Sequence, residues 1–150
     1  MFEQYSGIYI TGGAGWLGSR LISTLISETD YLSGFKINNS LPIYCLLLPG
    51  QKIFTDHKNI YCIEGDIRNP DDCENFLKGS SRGLLIHLAG VIHPKKIQDF
   101  YNINVSGTEN LLEASMKNKL KRAVIMSSNS PIGVNPHLDH LFDEKSPYSP

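Results

Sequence analysis

The stretch Thr11-Gly12-Gly13-Ala14-Gly15-Trp16-Leu17-Gly18 constrains this chain more than any other. It follows a short apolar strand, Gly7-Ile8-Tyr9-Ile10, and leads into a helical pattern from Leu17 to Ile26. A glycine-rich turn between a strand and a helix binds diphosphates for a physical reason. Without side chains the phosphate can approach the backbone, where the first N–H groups of the helix and the positive end of its dipole meet it. Gly13, Gly15 and Gly18 fit G-x-G-x-x-G, and Gly12, Gly15 and Gly18 fit T-G-x-x-G-x-x-G. In a chain with 13 glycines the spacing alone carries little. Its place between a first strand and a helix gives it weight against a purely structural glycine turn.

The rest of the chain repeats the alternation that this loop begins. Apolar strands are read at Ile43–Leu48, Asn59–Glu64, Leu84–Leu88 and Ala123–Met126. Between them lie a polar loop from Tyr31 to Leu41, a short helix starting near Pro70, and a longer helix from Ile97 to Asn118. Proline suits a first helical turn, which places the start at Pro70. Near-continuous apolar strands separated by helices predict a parallel sheet covered on both faces. The expected fold is therefore α/β, a doubly wound Rossmann-type sheet, with ligands at the carboxyl ends of its strands. At 41% hydrophobic content, residues 1–150 suit one compact domain.

Composition excludes several partners. The net charge is −1 with no long basic run, which argues against nucleic acid and anionic membranes. Lys119-Leu120-Lys121-Arg122 reads as a solvated helix C-terminus, where cations suit the dipole. No apolar run approaches the length of a membrane span, and Met1-Phe2-Glu3-Gln4 lacks the basic start of a signal peptide. A reducing cytoplasm is the expected location. Cys45, Cys62 and Cys73 share no C-x-x-C spacing, and Cys45 and Cys62 read as buried free thiols in strands. His137 and His140 are spaced like a metal pair, but no further ligands converge there and no metal is expected.

Four further motifs follow the loop in order. They are Gly65-Asp66-Ile67-Arg68, His87-Leu88-Ala89-Gly90, the run from Asn102 to Leu112, and Ser127-Ser128 followed by Gly133. Together with Thr11–Gly18, this set resembles the extended short-chain dehydrogenases/reductases, the NAD-dependent epimerase/dehydratase group, over nearly the whole chain. The resemblance implies that Gly12, Gly13, Gly15, Trp16, Leu17 and Gly18 form the cofactor loop. It implies that Asp66 contacts the adenine amine, with Ile67 against the ring, and that Leu88, Ala89 and Gly90 turn beneath the cofactor. Asn104 would brace the active site and Ser128 would be the catalytic serine. The implied cofactor is NAD or NADP, with NAD preferred. The implied partner is a small-molecule substrate, first of all a nucleotide sugar, with a homodimer as the oligomer such proteins often form.

Each residue also has a plainer reading. Asp66 at a strand exit could cap a turn. Asn104 is locally unfavourable in mid-helix, which suggests that its amide bonds elsewhere, the alternative being an exposed asparagine. Ser128 could hydrogen-bond a substrate hydroxyl or carbonyl and stabilise charge developing there. Ser127 is adjacent, and the spacing to Gly133 favours Ser128. His87, at the end of an apolar strand, reads as structural.

Two departures from the family pattern matter. An acidic residue at the end of the second strand would bind the ribose of NAD, and an arginine the phosphate of NADP. Here that segment reads Leu47-Leu48-Pro49-Gly50-Gln51, with neither, and Lys52 is a weak pointer to the phosphate form. The family's catalytic pair is Y-x-x-x-K, in which the lysine lowers the phenol's pKa and orients the nicotinamide ribose. No such pair follows Ser128. Tyr148 could start one, but its lysine would fall beyond residue 150. The expectation is a chain that stops before its catalytic tyrosine, lacks a substrate domain and is inactive alone. Two readings follow. One is the cofactor-binding part of an enzyme that transfers hydride at a hydroxyl or keto carbon of a nucleotide sugar or steroid-like alcohol. The other is a non-catalytic dinucleotide-binding redox sensor or interaction module.

Overall fold

The computed structural model describes residues 4–27, 41–53, 57–128, 132–134, 137, 139 and 142–148. Most of the loop expected from Tyr31 to Leu41 lies outside these residues, as does His140 of the histidine pair. The elements run β1 (Ile8–Thr11), α1 (Trp16–Ile26), β2 (Ile43–Leu47), β3 (Ile60–Glu64), α2 (Pro70–Leu77), β4 (Leu84–His87), a π-helical segment (Phe100–Ser106), α3 (Gly107–Lys117) and β5 (Arg122–Ile125). The alternation read from the sequence holds, with strand ends displaced by a residue or so. The longer helix is a correction: it divides into the π-helical segment and α3, both shorter than the span expected from Ile97 to Asn118. The basic cluster is another. Lys119, at φ 55°, turns the chain out of α3 toward β5, so these cations lie past the helix end.

The strands form one sheet in the order β3-β2-β1-β4-β5, and every pairing is parallel. The chain leaves β1 toward β2 on one side and later fills β4 on the other. That reversal opens a crevice at the carboxyl ends of the two central strands. Alternating side chains divide the core. Ile8, Ile10, Cys45 and Leu47 face Ile22 and Leu25 of α1, while Tyr9, Leu46 and Leu85 face Phe76 and Leu77 of α2 and Leu111 of α3. Helices thus cover both faces, as a doubly wound sheet requires. Tyr9, Tyr44 and Tyr61 stand in register across three strands and stack at 4.8 and 5.2 Å, which helps fix that register.

Coverage fails at the two edges of the sheet. All four residues of β5 are exposed, and Tyr61 and Cys62 of β3 are exposed too. Cys62 is therefore not the buried thiol expected, because its strand lies at an edge. Cys45, in the next strand inward, is buried, and desolvation pushes its thiol up to about 12. All three cysteines are free. Among the described residues no helix is long and apolar enough to cross a membrane.

Candidate functional site

The N-terminus of α1 is bare. Its N-cap is Gly15, no side chain caps it, and its first turn contains no acidic residue. The first N–H groups of the helix, at Trp16, Leu17 and Gly18, therefore retain the partial positive charge of the dipole. α2 begins differently at the same end of the sheet. The Asn69 side chain accepts the Asp71 N–H, Pro70 opens the helix, and Asp71 and Asp72 occupy its first turn. α2 answers its own dipole, and α1 has no side chain that does so.

The glycines at the start of α1 divide by role. Gly12 has φ +74°, and a Cβ there would lie 2.6 Å from both the Ala89 nitrogen and the Leu88 carbonyl carbon. It is glycine so that the loop after β1 can lie directly against the end of β4. A Cβ on Gly18 would run into the Gly12 carbonyl oxygen. Gly15 is different: its Cβ would meet only the Gly12 carbonyl oxygen, at 3.2 Å, and otherwise open space. Gly15 lines a cleft of about 420 Å³ at the carboxyl ends of the strands.

One wall of the cleft is held by a chain of hydrogen bonds through His87. The Thr108 hydroxyl donates to the Asn104 carbonyl at 2.7 Å, so it accepts from His87 Nε2–H at 3.0 Å. His87 Nδ1 then accepts from the Thr11 hydroxyl at 2.6 Å, and Thr11 Oγ1 accepts the Ala89 N–H at 3.3 Å. Every member is satisfied with a neutral imidazole, and burial lowers the His87 pKa from its ordinary 6.5. The Asn104 side chain continues the wall. Its Oδ1 accepts the Val91 N–H at 2.8 Å and its Nδ2 donates to the Val91 carbonyl at 2.9 Å. The amide of this π-helical residue thus binds the backbone of the loop after β4.

The other wall comes from the ends of β2 and β3. Leu48-Pro49-Gly50-Gln51 is a tight turn closed by the Gln51 N–H on the Leu48 carbonyl at 2.9 Å, with Gly50 at φ +79°. Gln51 reaches the cleft after β2, and its Oε1 accepts the Leu48 N–H at 3.1 Å. Lys52 does not line the cleft. Asp66 follows β3, and its Oδ1 accepts the Arg68 N–H at 2.9 Å, so it does cap a turn. Its Oδ2 accepts from both Nε and Nη2 of Arg68. These bonds hold the Asp66 carboxyl below the usual carboxylate range.

Of the residues singled out from the sequence, Gly12, Gly15, Asp66, Ile67, Leu88, Ala89 and Gly90 meet at this cleft. Gly13, Trp16, Leu17, Gly18 and Asn104 stand behind or beside it. Ser128 is exposed beyond β5 and does not line it. Thr11, Gln51 and Arg68, which the sequence motifs contain without a role of their own, line it too, as does Asp99, which no motif contains. A role for Arg68 was within reach of the sequence, since an aspartate at the start of a turn with an arginine two residues on is a local ion-pair signal.

Comparison with known proteins fits this geometry. Residues 9–150 match the profile of the 3-beta hydroxysteroid dehydrogenase/isomerase family. An uncharacterised protein of Sinorhizobium fredii, y4nL, is 42% identical over 144 residues, covering 95% of this chain and 40% of that protein. Human dTDP-D-glucose 4,6-dehydratase is 27% identical over 147 residues, covering 95% of this chain and 41% of the enzyme. The chain thus spans about two fifths of the length of these relatives. Among solved structures, the Bordetella bronchiseptica enzyme WbmG in complex with NAD superposes with a TM-score of 0.77 at 22% identity, over 99% of this chain and 45% of that one. The resemblance read from the five motifs therefore holds, and the chain belongs to the 3-beta hydroxysteroid dehydrogenase/isomerase family, of the epimerase/dehydratase type.

Proposed function

We propose that this chain is the NAD-binding part of an enzyme that transfers hydride to or from a carbon bearing a hydroxyl or ketone, with a nucleotide sugar as the first candidate substrate. The bare N-terminus of α1 beside an open Gly15 carries the reading. It offers a diphosphate unpaired N–H groups, a helix dipole and room for backbone approach. The adenosine end would lie between Leu48 and Ile67, with Asp66 accepting from the adenine amine. NAD is favoured over NADP because Arg68 is the only cation lining the cleft among the described residues, and Asp66 already engages it. A nucleotide sugar is favoured by the dehydratase relative, whose name states such a substrate. The family name keeps a steroid alcohol as the second substrate class.

In this reading the bound dinucleotide supplies the hydride chemistry. Gly15 admits its phosphates, Gly12 seats the loop against the end of β4, Asn104 holds the loop at Val91, and Ser128 would bind the substrate oxygen. The test is calorimetric titration of the chain with NAD, alongside Gly15→Val. Wild type should bind NAD saturably. The variant should lose at least ten-fold in affinity while keeping its melting temperature within a few degrees. Equal affinity in both would show that the dinucleotide does not pass over Gly15.

A further inference from the structure

Arg68 is assigned no contact with the dinucleotide in the reading above, yet it lines the same cleft. Its bonds determine what Asp66 has left to offer. A carboxylate presents about four lone-pair positions. Asp66 Oδ2 gives two of them to Nε and Nη2 of Arg68, and Oδ1 gives one to the Arg68 backbone N–H. One acceptor position remains, on Oδ1, attached to a carboxylate fixed by a planar guanidinium and by its own turn. The backbone on either side is held as well, since the Asp66 N–H donates to Asp72 Oδ2 at 2.8 Å and the Asp66 carbonyl accepts the Asn69 N–H at 2.9 Å. Such a group accepts a hydrogen bond and cannot donate one. Asp99 also lines the cleft and adds a weaker electrostatic pull on Arg68, whose ion pair is with Asp66.

We propose that Arg68 is a positioning residue that fixes Asp66 as a single-acceptor probe, so that this end of the cleft selects a purine with an exocyclic amine over one with a carbonyl at the same place. The inference rests on the dinucleotide reading above and adds its base specificity. An amine hydrogen meets the remaining lone pair of Oδ1, whereas a carbonyl oxygen there sets acceptor against acceptor. A site built to receive a donor rejects a ligand lacking it, because the polar group is left unpaired.

The experiment compares the affinity of NAD with that of nicotinamide hypoxanthine dinucleotide, which differs in carrying an oxo group in place of the amine. Wild type should prefer NAD by about ten-fold or more, the usual scale for a hydrogen bond to a charged group. Arg68→Met keeps the aliphatic stem and removes every side-chain donor, and its preference should collapse toward one. Asp66→Asn can turn an amide N–H toward the oxo group, so its preference should shift toward the hypoxanthine dinucleotide. Arg68 is on the surface, and a melting temperature near wild type would confirm that Arg68→Met is folded. Equal binding of both dinucleotides by wild type would overturn the inference and leave the dinucleotide site standing. Binding of neither would overturn both. An undiminished preference in Arg68→Met would show that Asp66 needs no help from Arg68.

Discussion

His87 is buried, with both ring nitrogens bonded to hydroxyls from different elements, and it can be neutral only at the cost of a low pKa. The sign follows from linkage. Its folded pKa lies below the ordinary 6.5, so the unfolded chain binds the proton more readily, and stability falls as pH drops below about 6.5. A proton on Nδ1 would also remove the acceptor for Thr11. Denaturant midpoints measured between pH 7.5 and pH 5.5 should fall for wild type and fall less for His87→Phe; parallel curves would refute this. Asp66 belongs to a separate window. Its carboxyl is held low, so it stays ionised through this range and its pairing with Arg68 is lost only under stronger acid. The sequence could suggest that His87 was structural, but not its partners. Thr11 and Thr108 are far from it along the chain and meet it only because β1, β4 and α3 converge.

At the scale of elements, the two helix N-termini at the cleft edge were legible in the sequence and the π-helical segment was not. Asn69-Pro70-Asp71 announces a capped helix, and Gly15-Trp16-Leu17 announces an uncapped one. Nothing in Phe100–Ser106 marks a change of helical period, since that depends on how the segment meets the loop after β4. The mid-helix position of Asn104 did signal that its amide would bond elsewhere, and both of its bonds go to Val91. Asn104→Ala removes them, at roughly 0.5–1.5 kcal/mol each. The Val91 amide should then exchange with solvent about ten-fold faster or more, while amides in α3 keep their protection. Unchanged exchange at Val91 would mean that the asparagine does not hold this loop. Edge strands were also hidden. Ile60-Tyr61-Cys62-Ile63 reads as a core strand, and only the sheet order shows that β3 lies at the margin.

For the whole molecule, the parallel order β3-β2-β1-β4-β5 places the glycine loop, the Asp66 turn and the Ala89–Gly90 turn at one end of the sheet. That convergence is why motifs separated by tens of residues could be read together from the sequence. Ser128 does not join them at the cleft, and no tyrosine within the 150 residues has a lysine four positions later. The 150 residues alone should therefore bind dinucleotide without transferring hydride. Absorbance of the reduced nicotinamide, followed with nucleotide-sugar and steroid-alcohol substrates, should stay flat; steady turnover would show that other groups supply the proton transfer.

Amide NMR tests most directly where the diphosphate sits. Titrating NAD into the labelled chain should shift the backbone amides of Trp16, Leu17 and Gly18 most strongly. The indole of Trp16, the only tryptophan and largely exposed beside the loop, should shift with them, along with the amides of Ile67 and Gly90. Saturable shifts confined to other parts of the sheet, or none from a folded chain, would contradict the account.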